Sequence, residues 1–208
     1  LAGGSFTTVT NSGIATNVVN HFCLIGYSGV VDTNFVFSPS ISQISRIVVV
    51  GLTNIYISIT ANKSDIKKVN LDGTYDTNFS NVFPGNNIGY YESYVSNKLF
   101  AVVSSKPVLV NPDGTLDGSF NTANATFNNT VTAMTVGESN NLYVAGTFTT
   151  YNGQPVGKYA RLFPDGTLDT SFYTESPTSG GFNWDVYDPR GYLYVVRDTS
   201  SGTFQPAS

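Results

Sequence analysis

Leu162-Phe163-Pro164-Asp165-Gly166-Thr167-Leu168-Asp169-Thr170-Ser171-Phe172 is the cleanest of four copies of one pattern. Val110-Asn111-Pro112-Asp113-Gly114-Thr115-Leu116-Asp117-Gly118-Ser119-Phe120 and Val69-Asn70-Leu71-Asp72-Gly73-Thr74-Tyr75-Asp76-Thr77-Asn78-Phe79 repeat it closely. Ile25-Gly26-Tyr27-Ser28-Gly29-Val30-Val31-Asp32-Thr33-Asn34-Phe35 is a worn version. Recurrence at a period of a few tens of residues marks a repeat architecture, so it governs the fold ahead of any local propensity.

The unit reads as a strand, a tight turn and a second strand. In Pro-Asp-Gly, proline presets φ at the first corner, aspartate bonds the backbone just ahead, and glycine accepts the positive φ that follows. Gly73, Gly114 and Gly166 are therefore expected at positive φ. Phe35, Phe79, Phe120 and Phe172 are expected as core plugs, one per repeat. Asp32, Asp76, Asp117 and Asp169, three residues before them, are read as caps on turn amides. An array needs one turn device per repeat; it does not need four catalytic carboxylates.

Working outward, Leu1 to Thr8 align with Tyr143 to Thr150. Apolar runs at Asn54–Ile59, Lys98–Val103 and Gly191–Val196 suit strands buried on both faces. Further strand candidates precede them at Ile44–Val50, Ile88–Val95, Val131–Val136 and Phe182–Tyr187. Four strands per repeat result, and successive Asp-x-x-Phe aspartates are 44, 41 and 52 residues apart, the length of a four-stranded propeller blade. The longest interval holds a hairpin excursion at Thr150–Val156, whose counterpart at Val9–Asn20 is longer still.

The expected fold is all-β, a β-propeller of four-stranded antiparallel blades with about five seen, or a fragment of a larger propeller. One domain, 1–208, would carry blades at 1–37, 41–81, 86–122, 129–174 and 181–208, the first and last incomplete. Both end pieces supply a second strand, which favours an excerpt of a longer propeller over a five-bladed ring with an irregular last blade. An open array leaves strand edges that something else must cover.

Gly146-Thr147-Phe148-Thr149-Thr150-Tyr151-Asn152-Gly153, followed by Ala160-Arg161-Leu162 and the Pro-Asp-Gly-Thr-Leu-Asp-x-Ser-Phe run, resembles the delta-60 repeat, a β-propeller-type repeat of unknown function. Residues 142–172 carry the match nearly in full. The repeats ending at Phe79 and Phe120 lack the Gly-x-Phe-Thr element, and the first repeat keeps Gly-x-Phe but loses Pro-Asp-Gly. The resemblance implies propeller blades in large extracellular bacterial proteins and in phage structural proteins. It brings no catalytic residues.

With 208 residues the chain can bury a sizeable core, and at a net charge of −4 with 12% charged residues it carries no basic stripe, so nucleic acid is not an expected partner. A neutral surface rich in Asn, Thr, Ser and Gly suits the outside of a cell or a virion. Cys23 is the single cysteine; it cannot form an internal disulfide and reads as a small core residue. No apolar run is long enough to span a bilayer, and no basic-then-apolar leader is present.

His21 is the only histidine, so it reads as structural, and one histidine with one cysteine cannot close a zinc site. Asp165 with Asp169, or Asp113 with Asp117, would be calcium ligands, yet the dense Asp-x-Asp-x-Asp-Gly spacing is missing. No metal and no cofactor are expected. A propeller-type glycoside hydrolase would need an acid and a base or nucleophile from Glu92, Glu138, Glu175, Asp185 and Asp188, which nothing in the sequence brings together.

Aromatics outside the repeat, Tyr90, Tyr91, Tyr94, Tyr151, Tyr173, Trp184 and Tyr187, offer flat faces for sugars or proteins. Tyr90 and Tyr187 fit filling between blades; Tyr151, Trp184, Tyr173 and Tyr91 are the candidate ligand contacts, with Tyr151 expected to be the most exposed. The expected function is a non-enzymatic extracellular structural or binding module, foremost a phage tail or fibre component contacting the host, and alternatively a secreted or cell-surface bacterial adhesin. Its partners would be other virion or cell-surface proteins and host glycan.

Overall fold

The computed structural model describes residues 1–3, 5–11, 15–18, 21–37, 41, 44, 46–51, 53–59, 66–80, 88–93, 97–121, 123–172, 182–187 and 193–197. Backbone pairing alone is described for 10–11, 15–18, 88–93, 182–187 and 193–197. The chain divides into two compact units. One comprises Leu1–Ile88, Val95–Lys98 and Val110–Thr115, the other Gly89–Tyr94, Leu99–Leu109 and Leu116–Ser208.

In the first unit, β1 (Ala2–Gly3) pairs antiparallel with β4 (Phe22–Cys23), with the hairpin β2 (Thr8–Asn11) and β3 (Ala15–Val18) inserted between them. β5 (Arg46–Val50), β6 (Asn54–Ser58) and β7 (Ile66–Val69) form a three-stranded antiparallel sheet with β6 central. All five residues of β6 are buried, as its unbroken Ile-Tyr-Ile run requires of a central strand. Phe22, Phe35, Phe37, Ile44, Ile55, Ile57 and Val69 make the core. The ring of Phe22 meets Phe35 and Phe37 edge-on at 5.1 and 5.3 Å.

In the second unit, β8 (Ile88–Ser93), β9 (Leu99–Val103) and β10 (Lys106–Val110) form one sheet, with the ends of β8 and β10 reaching the boundary residues. Ser104 and Ser105, at φ 49° and 66°, join β9 to β10 in the two-residue turn whose twist suits a hairpin. β11 (Val131–Val136), β12 (Leu142–Gly146), the short hairpin β13 (Thr150–Tyr151) with β14 (Gln154–Pro155), and β15 (Tyr159–Leu162) follow. β11, β12 and β15 make the next antiparallel sheet, and β16 (Phe182–Tyr187) pairs with β17 (Leu193–Arg197). Phe100, Phe120, Phe127, Met134, Leu142, Phe148 and Leu162 are among the core residues.

The N-terminal piece is in register with the fourth repeat. Ala2 faces Cys23 and Gly3 faces Phe22, as Val144 faces Ala160 and Ala145 faces Tyr159.

The fourth strand of each repeat is shorter than the alternating pattern suggests. In the first, second and fourth repeats it pairs with the third strand by single bridges, Ile25 to Val31, Val69 to Tyr75 and Leu162 to Leu168. Beyond each bridge the aspartate donates its own N–H to strand three, as Asp76 does to Lys68 at 2.9 Å, and then the ladder stops. It stops because the aspartate side chain takes the amide two residues on, which a further ladder bond would have used.

The turns themselves are alike in all four repeats. Gly29, Gly73, Gly114 and Gly166 sit at φ 79°, 92°, 90° and 85°. The worn first copy keeps the same two bonds as the others, Gly26 N–H to the Val30 carbonyl at 2.8 Å and Gly29 N–H to the Gly26 carbonyl at 2.9 Å.

Three of the turns are stitched to the repeat before them. The residue after the phenylalanine donates its N–H to the carbonyl of the turn aspartate: Val36 to Asp72 at 3.1 Å, Ser80 to Asp113 at 2.8 Å, and Asn121 to Asp165 at 2.8 Å. The approach explains the glycine. A Cβ at Gly114 would collide with the Ser80 carbonyl, and one at Gly73 would lie 2.5 Å from the Val36 carbonyl oxygen.

Candidate functional site

The recurring carboxylates are spent on backbone. Oδ1 of Asp32, Asp76, Asp117 and Asp169 accepts the N–H of Asn34, Asn78, Ser119 and Ser171 at 2.9, 3.0, 2.9 and 2.9 Å. Asp72, Asp113 and Asp165 accept both the N–H and the hydroxyl of Thr74, Thr115 and Thr167. The Thr74 and Thr167 hydroxyls lead in holding Asp72 and Asp165 below the usual carboxylate range, and the Thr115 N–H does so for Asp113. Asp113, Asp117, Asp165 and Asp169, weighed from sequence as calcium ligands, each accept through Oδ1 from the backbone of their own turn. Among the described residues no group of three or more His, Cys, Asp or Glu is placed to hold a metal ion.

Two repeats add a cation from strand three. Lys68 Nζ lies 3.0 Å from Asp76 Oδ2 and also donates to the Pro112 carbonyl at 3.0 Å. Arg161 places Nε and Nη2 at 2.7 and 2.6 Å from Asp169 Oδ2. Its guanidinium carbon lies 4.8 Å from the centre of the Phe172 ring and 6.0 Å from that of Tyr143. The corresponding residues of the other repeats are Leu24 and Leu109.

This difference decides how deep the repeat phenylalanine sits. Phe35 and Phe120, beside leucines, are 6% exposed. Phe79 and Phe172 are only half-buried, edge-on at 5.6 Å to Tyr56 and to Tyr143 respectively. All four were expected as buried core plugs. A lysine or arginine that must keep its charged head near water holds the neighbouring ring near the surface as well.

Beside Phe172 the fourth repeat opens a cleft of about 580 Å³. Its floor is β15 and the segment Leu168–Phe172, and Gln154–Gly157 form a wall. The same place in the third repeat, between β10 and Leu116–Phe120, holds a smaller hollow of about 250 Å³. Connection length makes the difference. β9 runs into β10 through two residues, whereas β12 reaches β15 through the excursion that supplies the wall. In the third repeat Asn121 also fills space, its amide donating to the Pro107 and Ala125 carbonyls at 3.0 Å each.

The larger cleft is lined by Tyr159, Phe172, Gln154, Thr170 and Asp169 among others. Asp169 is 4% exposed, and both of its oxygens are already engaged: Ser171 N–H and hydroxyl on Oδ1, two guanidinium nitrogens on Oδ2. The Ser171 hydroxyl, ahead of Arg161, holds its carboxyl below the usual range, so it is an ionised acceptor with its lone pairs in use. Asp169 is the one carboxylate among the residues that line the cleft, and each of its oxygens accepts two hydrogen bonds.

Tyr151 requires a correction. Expected at the surface, it is 2% exposed, tilted against Phe127 at 4.6 Å, and its hydroxyl donates to the Gly166 carbonyl at 2.8 Å. The Tyr-Asn-Gly turn folds back because Asn152 N–H bonds the Thr126 carbonyl and Asn128 Oδ1 accepts the N–H of both Thr149 and Thr150. Trp184 and Tyr91 lie on β16 and β8, where the backbone alone is described; Tyr173 lies outside the described residues. Of the carboxylates considered for glycoside hydrolysis, Glu138 is exposed in the 3-10 turn between β11 and β12, and the other side chains lie outside the described residues. His21 sits at φ 61°, with Nδ1 buried and unbonded among the described residues. Sequence reasoning missed the cleft; its signal was the excursion in the longest repeat interval.

Residues 139–172 match a family model described as a domain of unknown function (DUF5122) beta-propeller. No curated protein matches the chain. Among solved structures the chain is similar to the extracellular domain of a putative hybrid two component system from B. thetaiotaomicron, with a TM-score of 0.53 and 12% identity over 92% of this chain and 25% of that one. It is similar also to the extracellular domain of a putative one component system from the same organism, with a TM-score of 0.53 and 16% identity over 95% of this chain and 25% of that one. The chain thus spans about a quarter of the length of these solved chains. The fold is all-β, and its antiparallel sheets are of β-propeller type.

Proposed function

We propose that the chain is a non-enzymatic extracellular binding module made of β-propeller repeats of the delta-60 kind, and that it takes a neutral glycan in the cleft beside Phe172. The observation that carries this reading is the pairing, in one cleft, of a half-buried phenylalanine and the exposed Gln154 with a carboxylate whose acceptors are filled. Sugars dock on such surfaces through an apolar ring face and neutral hydrogen-bonding groups. Glycoside hydrolysis needs two carboxylates free to exchange protons or attack, and Asp169 is not one.

The placement outside the cell draws support from the two solved structures, which are extracellular domains of a putative two component and a putative one component system. They favour a bacterial cell-surface setting, as an adhesin or sensing module, over the phage tail or fibre component expected from composition.

A glycan array followed by calorimetry on each hit tests the reading. Phe172→Ala should weaken a true ligand about fivefold, the loss of one ring face corresponding to about 1 kcal/mol. Gln154→Ala should weaken it less, and the bound glycan should be recovered uncleaved. Silence across the array, affinity indifferent to both substitutions, or release of a shortened glycan would each defeat the proposal.

A further inference from the structure

The turn of the first repeat is built like the other three and, among the described residues, has nothing over its glycine. Gly73, Gly114 and Gly166 are all buried, each beneath the segment that follows the preceding repeat's phenylalanine. Gly29, at the same place and at φ 79°, is exposed, and a Cβ built there meets nothing within 4 Å. The carbonyl of Ser28 stands where those of Asp72, Asp113 and Asp165 accept the stitching N–H. The flanking residues have lost the polar pair of the other turns: Ser28 replaces the aspartate and Val30 replaces the threonine. Val30 is 52% exposed, and Ile25 and Tyr27 beside it are 37% and 113% exposed.

We propose that Tyr27–Val30 is the docking site for one further repeat of this same kind, beyond the four in this chain, through the extended segment after its Asp-x-x-Phe. The occupant is identified by what covers the other turns. In each case it is the same piece of backbone, meeting the glycine face-on and donating one N–H to the carbonyl just before it. The bond adds direction. Burial of Val30 and Tyr27 adds the apolar contact that a solvated turn of Asp and Thr would not offer.

The test is a titration of the isotopically labelled chain with a synthetic peptide spanning Leu116–Asn124, whose Asn121 N–H makes the stitch in the third repeat. Amide signals of Ser28, Gly29 and Val30 should shift saturably. The same peptide N-methylated at Asn121, which removes only that donor, should bind about tenfold more weakly. Equal binding by the two peptides, or shifts confined to other residues, would overturn the proposal. So would shifts at Gly29 that grow with protein concentration in the absence of peptide, since the occupant would then be a second copy of this chain. A Gly29 signal already insensitive to peptide because a segment of the same molecule covers it would overturn it as well.

Discussion

The hydroxyl of Tyr151 donates to the carbonyl of Gly166 at 2.8 Å, tying the excursion hairpin to the turn of its own repeat. Tyr151→Phe should therefore destabilise the chain by about 0.5–1.5 kcal/mol, the net worth of one such bond. Tyr151→Ala, which also empties a site packed against Phe127, should cost about 3–5 kcal/mol. Urea midpoints at neutral pH measure both. Should Tyr151→Phe leave the midpoint untouched and abolish ligand binding instead, the residue would regain the surface role that its sequence context suggests.

Gly114 and Gly29 share a positive-φ backbone conformation and differ in what stands over them. Alanine at Gly29 meets open space, so it should cost only the strain of positive φ, about 1–2 kcal/mol. Alanine at Gly114 carries the same strain and must also push away the Ser80 carbonyl, breaking the stitch to Asp113. Its cost should exceed that of Gly29→Ala by at least about 1 kcal/mol. Equal costs, read from denaturant curves of the two variants, would mean that the close approach over Gly114 contributes nothing.

The turns were legible because their residues set their own dihedrals. Proline, aspartate and glycine specify the corner without reference to anything distant, and even Gly26–Gly29 keep its bonds with glycine alone remaining. The depth of Phe172 could have been read from Arg161 against Leu24 and Leu109, since a guanidinium that keeps contact with water sits over its ring. Tyr151 could not be read locally. Its ring is placed by Phe127 and by the amide of Asn128, more than twenty residues earlier. The cleft depends on two connection lengths compared across repeats, and a single repeat carries no trace of it. The short fourth strand came from a competition, side-chain acceptor against ladder acceptor, that alternation of apolar residues does not encode.

The depressed carboxylates set the acid limb of stability. The Lys68 ammonium leads in lowering Asp76, the Ser171 hydroxyl leads for Asp169, and the Thr167 hydroxyl leads for Asp165. Each has a folded value below its unfolded one near 3.8, so its contribution is complete above that pH and is lost as pH falls through the folded value. Stability should be flat from pH 7 to about 5 and decline below about 4. Asp169→Asn should start lower and decline less. At the alkaline end, burial, helped by Asp76 and Asp113, holds the Tyr56 phenol up at about 12. An unfolded tyrosine ionises near 10, so stability should fall again as pH rises from about 10 towards 12. Urea titrations from pH 2.5 to 11.5 give the whole curve; an Asp169→Asn variant with an undiminished acid decline would remove that residue from the account.

Cys23 gives a probe of the first unit that needs no added label site. It is 0% exposed, and burial pushes its thiol up, so both access and thiolate fraction oppose reaction with a disulfide reagent. Access is controlled by β1, the two-residue strand whose Ala2 faces Cys23. Gly3 holds that strand close: a Cβ there would lie 2.8 Å from Ile47 Cδ1 and 3.0 Å from Ile44 Cγ2. Gly3→Val should overpack this contact, by about 1–3 kcal/mol, and lift β1 away while the sheet of β5 to β7 stays folded. When opening is fast relative to labelling, the rate follows the open population, so Cys23 should react about ten to a hundred times faster in the variant without denaturant. The β-sheet signal in circular dichroism should stay close to that of the parent chain. Unchanged labelling in Gly3→Val would show that some other part of the first unit controls access to the thiol.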